Sequence, residues 1–139
     1  MDVQQTLPTW KRTVLVVDDD AQLRELLART LAGAGFDVLQ ADNGKTALEV
    51  ARGSGVPLDL LVSDVSMPVM DGLELARRFG TLYPLVPILF ISGSPRWAVS
   101  DQSALDGEQV LRKPFTADSL LLAVTQMLMR REQARDEIA

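Results

Sequence analysis

The sequence of 139 residues contains neither cysteine nor histidine. Without cysteine, the chain cannot form disulfides, thiolate nucleophiles or sulfur-ligated metal sites. Without histidine, it has no imidazole to act as a general base, to bind zinc or to carry a phosphoryl group. Any chemistry must therefore use carboxylates, hydroxyls, amines or the backbone.

Long apolar runs and clusters of basic residues are also missing. No apolar stretch approaches the roughly 18 residues that a membrane-spanning helix needs, and Met1–Gln5 lacks the basic and apolar regions of a signal peptide. We therefore expect a cytoplasmic protein that does not associate with membranes. The formal net charge is -5, with no block of Lys and Arg, which disfavours nucleic acid as a direct partner.

The length and composition indicate one ordinary globular domain. A chain of this length can bury a sizeable core, and 47% hydrophobic with 24% charged residues is typical of globular proteins. We expect a tail over residues 1–12, a single domain over 13–130, and a helix extension or tail over 131–139. The last stretch is most simply the frayed, solvated end of the final helix, although a connector to a partner domain is the alternative.

Short apolar runs alternate with segments of helical periodicity along the domain. The predicted strands are residues 13–17, 36–41, 60–64, 87–91 and 109–112. The predicted helices cover 23–34, 46–51, 71–79, a weaker segment at 96–105, and a final helix from Thr116. Gly80 and Pro84 mark the end of the third helix. This alternation predicts an α/β fold, a doubly wound five-stranded parallel sheet with helices on both faces.

Polar side chains stand at the ends of four predicted strands. Asp18 and Asp19 follow the first strand, Asp64 ends the third, Ser92 follows the fourth and Lys113 follows the fifth. Asp64 alone would most simply cap the next helix. Because the carboxyl ends of strands in a doubly wound sheet form a common crevice, we expect these residues to share one site.

The residue types at this site favour phosphoryl chemistry on a carboxylate. Three neighbouring carboxylates repel one another unless a cation neutralises them, and oxygen ligands suit Mg²⁺. A lysine and a hydroxyl can stabilise the remaining oxygens of a phosphoryl group. The available nucleophile is a carboxylate, and aspartyl phosphates are established covalent intermediates.

Four motifs in order resemble the receiver domain of bacterial two-component response regulators. They are Val14–Asp20, Leu61–Gly72, Ile91–Gly93 and Leu111–Phe115, and the resemblance covers residues 13 to about 130. It implies a flavodoxin-like sheet order of 2-1-3-4-5. It also implies a signalling domain that is phosphorylated by a sensor histidine kinase or a histidine phosphotransfer protein and that catalyses its own phosphorylation and dephosphorylation. Such a domain would be a monomer or weak dimer.

The resemblance assigns roles to the acidic residues. Asp64 matches the phosphoryl acceptor, Asp19 the direct Mg²⁺ ligand, and Asp18 its neighbour acting through water. Ser66 matches the position whose backbone carbonyl completes the metal ligands. Asp20 has no such role, and we expect it to be the N-cap of the first helix.

The remaining roles implied by the resemblance concern the fourth and fifth strands. Ser92 matches the hydroxyl that moves toward the phosphoryl group, Gly93 a position that requires a small residue, and Lys113 the cation, with a cis peptide before Pro114. Receivers usually carry Tyr or Phe where this chain has Val110, so the usual aromatic route from the site to the surface is missing. Output would then pass through the 92–94 loop into the segment 96–105.

Two further positions and two other functions complete the interpretation. Ser94 is either a turn residue or a position that tunes dephosphorylation, and Trp97 either packs or contacts a partner.

A haloacid-dehalogenase-like phosphatase also uses a strand-end aspartate, but Gln22 stands where it needs Thr or Val. An interaction module that works without phosphorylation is the second alternative, which the intact acidic residues and Lys113 disfavour.

Overall fold

Five parallel β-strands form the centre of the molecule. In the computed structural model, which describes residues 12–67, 69–93 and 109–138, the sheet order is β2-β1-β3-β4-β5, as the sequence predicts. The strands are β1 (Thr13–Val17), β2 (Asp37–Ala41), β3 (Leu60–Asp64), β4 (Ile88–Ser92) and β5 (Gln109–Arg112). Strands β1, β3 and β4 are buried at every residue, which explains why their sequences are continuous apolar runs.

The register brings the carboxyl ends of the strands to one edge of the sheet, here called the carboxyl edge. Val17 pairs with Ser63, Asp64 pairs with Ile91, and Ser92 pairs with Arg112. The residues that end or follow β1, β3, β4 and β5 are therefore neighbours in space.

Four helices connect or follow the described strands. They are α1 (Ala21–Gly33), α2 (Gly44–Gly53), α3 (Gly72–Leu82) and α4 (Ala117–Ile138). Short polar side chains cap three of them, because each accepts hydrogen bonds from otherwise unpaired amides of the first turn. The caps are Asp20 for α1, Asn43 for α2 and Asp71 for α3.

Two apolar layers lie on opposite faces of the sheet. Alternate residues of β1 point to the two faces: Leu15 and Val17 pack with α2 and α3, whereas Val14 and Val16 pack with α1 and α4. Phe79 of α3 and Leu27 of α1 are among the fully buried side chains. Burial of each such side chain contributes roughly 1.5–3 kcal/mol to folding, so the layers hold the strand ends in place.

Several element boundaries differ by one or a few residues from the sequence prediction. Helix α3 ends at Leu82, between Gly80 and Pro84, the two residues that marked its end in the sequence. Strand β4 runs from Ile88 through Ser92, one residue later at each end than the predicted run. The predicted helix at 96–105 lies outside the described residues.

Two charged side chains at the start of the predicted helix extension, 131–139, contact other parts of the domain. Helix α4 continues to Ile138, and Arg131 places Nη1 2.7 Å from Oδ1 of Asp59, just before β3. Glu132 forms a second ion pair with Arg12, just before β1. These contacts hold Arg131 and Glu132 beside the residues that precede β3 and β1. None of the helices in the described ranges is long and apolar enough to cross a membrane.

Candidate functional site

Three carboxylates meet at the carboxyl edge of the sheet. One oxygen each from Asp18, Asp19 and Asp64 can be chosen so that all three lie within 4.8 Å of one another. Asp18 is fully buried and Asp64 is 7% exposed, whereas Asp19 is exposed. The three residues therefore form a mostly buried acidic cluster, as the sequence predicts.

Asp18 is anchored through three of its four polar groups. Its backbone N–H donates to the carbonyl oxygen of Ala41 at 3.2 Å, and its Oδ1 accepts from the backbone N–H of Asp20 at 2.9 Å. Its backbone carbonyl accepts a hydrogen bond from Nη1 of Arg24 at 2.8 Å. The remaining oxygen, Oδ2, is buried and has no hydrogen-bond partner among the described residues.

Burial is the main cause of an unusual titration of Asp18. The pKa of this carboxyl is raised to about 6, chiefly by desolvation and to a smaller extent by the charges of Asp64 and Asp19. The backbone hydrogen bond from Asp20 and the charge of Lys113 oppose the increase in pKa. Asp18 therefore carries a carboxylate that is destabilised at neutral pH and would be stabilised by a cation.

Asp64 is held between a backbone amide and a lysine. Its Oδ1 accepts from the N–H of Ser66 at 3.2 Å, and its Oδ2 lies 3.5 Å from Nζ of Lys113. Burial raises the pKa of Asp64, and the charge of Lys113 opposes that increase. Asp64 does not cap the following helix, because Asp71 accepts from Glu74 N–H and fills that role.

The start of α3 packs closely against the backbone of Asp64. A Cβ atom added at Gly72 would lie 2.3 Å from the carbonyl oxygen of Asp64 and 2.9 Å from Cα of Val65. The N–H of Gly72 donates to the carbonyl of Val65 at 2.8 Å, and the hydroxyl of Ser63 donates to the carbonyl of Asp64 at 2.9 Å. Only glycine permits this close approach of α3 to the end of β3.

The fourth and fifth strands supply the hydroxyl and the cation. Ser92 is buried, and its carbonyl accepts the N–H of Lys113 at 2.8 Å, which joins the two strand ends. The Lys113–Pro114 peptide is cis, as the resemblance implied. A Cβ atom at Gly93 would contact Cδ of Lys113 at 3.4 Å, so a small residue here leaves room for the lysine stem.

Other positions singled out from the sequence have mixed outcomes. Asp20 is the N-cap of α1, as expected, since its Oδ1 accepts from the amides of Gln22 and Leu23. Val110 is half-buried, pairs with Phe90 in the sheet and packs on the apolar layer of α2 and α3. Ser94 and Trp97 lie outside the described residues.

Two residues of the site had no role in the sequence interpretation. The contact of Arg24 with Asp18 has no sequence signal beyond an arginine in the first turns of α1. Gly72 belongs to a predicted motif, and its position just after the capping Asp71 is a weak signal that a helix begins close to the strand.

The acidic cluster fits a hard divalent cation. Its donors are carboxylate oxygens, which Mg²⁺ prefers. One oxygen of a residue in the cluster, the buried Oδ2 of Asp18, lacks a hydrogen-bond partner among the described residues. A bound cation would satisfy this oxygen and would reduce the repulsion that raises the pKa values of Asp18 and Asp64.

Comparison with known proteins identifies the class. The family model described as response regulator receiver domain matches residues 14–125. The chain therefore belongs to the response regulator receiver domain family, and it is a phospho-accepting receiver of two-component signalling. Receiver domains generally use Mg²⁺ at the acidic pocket and are paired with sensor histidine kinases.

Relatives occur both as short receivers and within long proteins. The chain is 38% identical over 119 residues to the response regulator receiver protein CpdR of Brucella abortus (strain 2308), covering 85% of this chain and 98% of CpdR. It is 35% identical to the sensor kinase CckA of the same strain, over 86% of this chain but 13% of CckA. A crystal structure of a response regulator receiver protein from Sinorhizobium medicae WSM419 is 34% identical, with a TM-score of 0.77, covering 89% of this chain and 99% of that chain.

Proposed function

We propose that Asp64 is the phosphoryl acceptor, supplied by a phosphohistidine on a sensor histidine kinase or a histidine phosphotransfer protein. One observation carries the proposal: Oδ2 of Asp64 lies 3.5 Å from Nζ of Lys113 within a cluster of three carboxylates. This arrangement pairs a carboxylate nucleophile with a cation that can face the oxygens of the incoming group.

The burial of the three carboxylates favours Asp64 over its neighbours as the acceptor. Asp18 is fully buried, and its Oδ1 is engaged by the amide of Asp20. Asp19 is exposed, and no hydrogen bond or ion pair holds its side chain within the described ranges. Asp64 combines slight exposure with two fixed contacts, at Ser66 N–H and at Lys113 Nζ, so its carboxylate is oriented and still reachable.

The transfer forms one bond and breaks one. A carboxylate oxygen of Asp64 attacks phosphorus, and the phosphorus–nitrogen bond to the donor imidazole breaks. The electron pair of that bond returns to the imidazole nitrogen, and the phosphoryl group remains on Asp64 as an acyl phosphate. Attack of water on phosphorus then returns Asp64 to its carboxylate and releases inorganic phosphate.

Five other residues support this exchange. Asp18, Asp19, Asp64 and the backbone carbonyl of Ser66 would hold Mg²⁺, which when bound neutralises negative charge on the transferring group. Lys113 would offset the charge of the phosphoryl oxygens. Ser92, buried at the end of β4, would donate its hydroxyl to a phosphoryl oxygen.

The proposed organisation follows the sequence prediction. The receiver would comprise residues 13–130, preceded by a tail at 1–12 and followed by an extension of the last helix at 131–139. Its place would be the cytoplasm, its state a monomer or weak dimer, and its target a protein rather than nucleic acid. Phosphorylation would shift the domain between two states through the loop after Ser92, because Val110 cannot act as an aromatic switch.

Acetyl phosphate with Mg²⁺ tests the acceptor assignment. Intact-mass spectrometry should show one added phosphoryl group on the wild type, removed by mild base, and none on Asp64→Asn. Asp71→Asn is a matched control, since asparagine caps a helix as well as aspartate does, and it should be labelled like the wild type. A labelled Asp64→Asn protein would refute the assignment.

A further inference from the structure

The loop between β1 and α1 carries two of the three clustered carboxylates, so the residues that fix this loop also fix the cluster. Asp18 and Asp19 lie between the end of β1 at Val17 and the first residue of α1, Ala21. Asp20 caps α1 and donates its own N–H to Oδ1 of Asp18. These contacts orient the side chain of Asp18. They do not fix the orientation of the peptide plane between Asp18 and Asp19.

Arg24 provides that contact. Its Nη1 donates to the carbonyl oxygen of Asp18 at 2.8 Å, and its own N–H donates to the carbonyl of Asp20 at 2.9 Å in the first turn of α1. Side chains of a helix tilt toward its N-terminus, so the guanidinium reaches back over the loop that precedes its helix. Arg24 is half-buried, which restricts the competition from water.

The bonded carbonyl controls Asp19 as well as Asp18. The carbonyl of Asp18 and the N–H of Asp19 belong to one planar peptide unit. A hydrogen bond to the oxygen therefore fixes the orientation of this plane and the direction in which the backbone continues to Asp19. The Asp19 side chain has no hydrogen bond of its own within the described ranges, and its place in the cluster therefore depends on its backbone.

We propose that Arg24 is a positioning residue for the Mg²⁺ site, acting through the Asp18 carbonyl on the carboxylates of Asp18 and Asp19. This inference rests on the proposed function, because it assumes that the cluster binds Mg²⁺. Arg24 touches neither the phosphoryl group nor the metal ligand atoms. Its effect is to keep the oxygens at the separation that a divalent ion requires, so it acts on metal affinity before it acts on phosphorylation.

A matched pair of substitutions separates this role from simple stabilisation. Arg131 makes a similar contact at the opposite edge of the sheet, where its Nη1 donates to the carbonyl of Asp59 at 3.1 Å. Arg24→Met and Arg131→Met each keep an unbranched stem with good helix propensity and remove the donors. Both should lower stability, but only Arg24→Met should change the binding of Mg²⁺.

The experiment is a titration of the metal-free full chain with MgCl₂ by isothermal titration calorimetry, with folding checked by circular dichroism. Outer contacts of metal ligands typically contribute roughly 10–100-fold to metal affinity, and we expect Arg24→Met to raise the Kd about tenfold. Arg131→Met should bind as the wild type does. Arg24→Lys keeps a donor on a side chain of shorter reach and should show a smaller increase in Kd.

A second measurement follows phosphorylation by acetyl phosphate at increasing Mg²⁺. Arg24→Met should need more Mg²⁺ for half-maximal rate and should approach the wild-type rate at saturation. If Arg24→Met does not fold, Arg24→Lys decides the question through the same titration.

Three results would overturn the proposal. An unchanged Kd in the folded Arg24 variants would do so while leaving the proposed function intact. An equal loss of affinity in Arg131→Met would show that general destabilisation is the cause. A wild-type chain that binds no Mg²⁺ would remove the metal site of the proposed function together with this inference.

Discussion

Nζ of Lys113 lies 3.5 Å from Oδ2 of Asp64, although their strands, β5 and β3, are separated in the sheet by β4. The lysine stem must therefore cross the end of β4, where Gly93 leaves space beside its Cδ. The hydrogen bond from Lys113 N–H to the Ser92 carbonyl fixes the backbone position from which the lysine side chain extends. The side chain of Lys113 is 32% exposed. Its partial burial strengthens the contact with Asp64, and its exposed part leaves the contact open to a ligand.

Replacing Lys113 with glutamine should slow phosphorylation of the chain strongly. Removing one group that stabilises developing charge typically costs about 10²–10³ in rate, and we expect a loss in that range with acetyl phosphate. The initial rate of mass increase at saturating Mg²⁺ measures it. Arg112→Gln removes an exposed neighbouring cation and is the control. Equal rates for the two variants would show that Lys113 acts only as a surface charge.

The raised pKa of Asp18 predicts a pH dependence of stability in the absence of metal. The folded-state pKa of about 6 exceeds the ordinary value of 3.8, so the folded protein binds the proton more tightly than the unfolded chain. This contribution to stability is fully present below pH 3.8 and is lost as the pH rises through 6. Asp64, whose pKa is also raised by burial, changes stability in the same direction.

Comparison with Asp18→Asn isolates this effect from other titrating groups. The variant should match the wild type near pH 4 and exceed it at pH 7 by on the order of 2–3 kcal/mol in unfolding free energy without Mg²⁺. Urea denaturation at a series of pH values measures the difference. Added Mg²⁺ should stabilise the wild type more at pH 8 than at pH 5, because metal and proton compete. A difference in unfolding free energy between the two proteins that does not change with pH would refute the raised pKa of Asp18.

The sequence allowed the sheet and the acidic cluster to be predicted because both depend on local patterns. Buried strands read as apolar runs, and the polar residue after each run marks the carboxyl edge. Gly80 and Pro84 only bracketed the end of α3, since one glycine costs a helix only about 1 kcal/mol and the bond from Tyr83 N–H to the Phe79 carbonyl continues the turn past Gly80. The contact of Arg24 with Asp18 depends on side-chain torsions, and periodicity carries no information about them.

Two glycines of α3 should respond in opposite ways to alanine. A Cβ at Gly72 would lie 2.3 Å from the Asp64 carbonyl oxygen, whereas a Cβ at Gly80 has no atom within 4 Å. Gly72→Ala should therefore destabilise the fold by about 1–3 kcal/mol, the usual cost of overpacking, and should slow phosphorylation by moving Asp64. Gly80→Ala should stabilise the helix by about 0.5–1 kcal/mol. Thermal unfolding and the acetyl phosphate assay measure both, and a Gly72→Ala protein with wild-type stability and rate would contradict the close packing.

The ion pair between Arg131 of α4 and Asp59, just before β3, should stabilise the folded domain. Arg131 bonds both Oδ1 and the backbone carbonyl of Asp59, and Oδ2 of Asp59 accepts the N–H of Thr13 at 2.8 Å. The Arg131 and Asp59 side chains are 13% and 21% exposed, so water and salt compete weakly for the pair.

Arg131→Met should lower the unfolding free energy by about 1–3 kcal/mol, the range for a hydrogen bond to a charged group. The loss should persist in 0.5 M NaCl, since the pair is mostly buried. Arg130→Met is the control, because Arg130 is exposed and has no ion pair within the described ranges, and it should change the free energy by less than about 0.5 kcal/mol. Chemical denaturation of the two variants measures the difference, and equal stabilities would mean that the pair of Arg131 and Asp59 does not stabilise the fold.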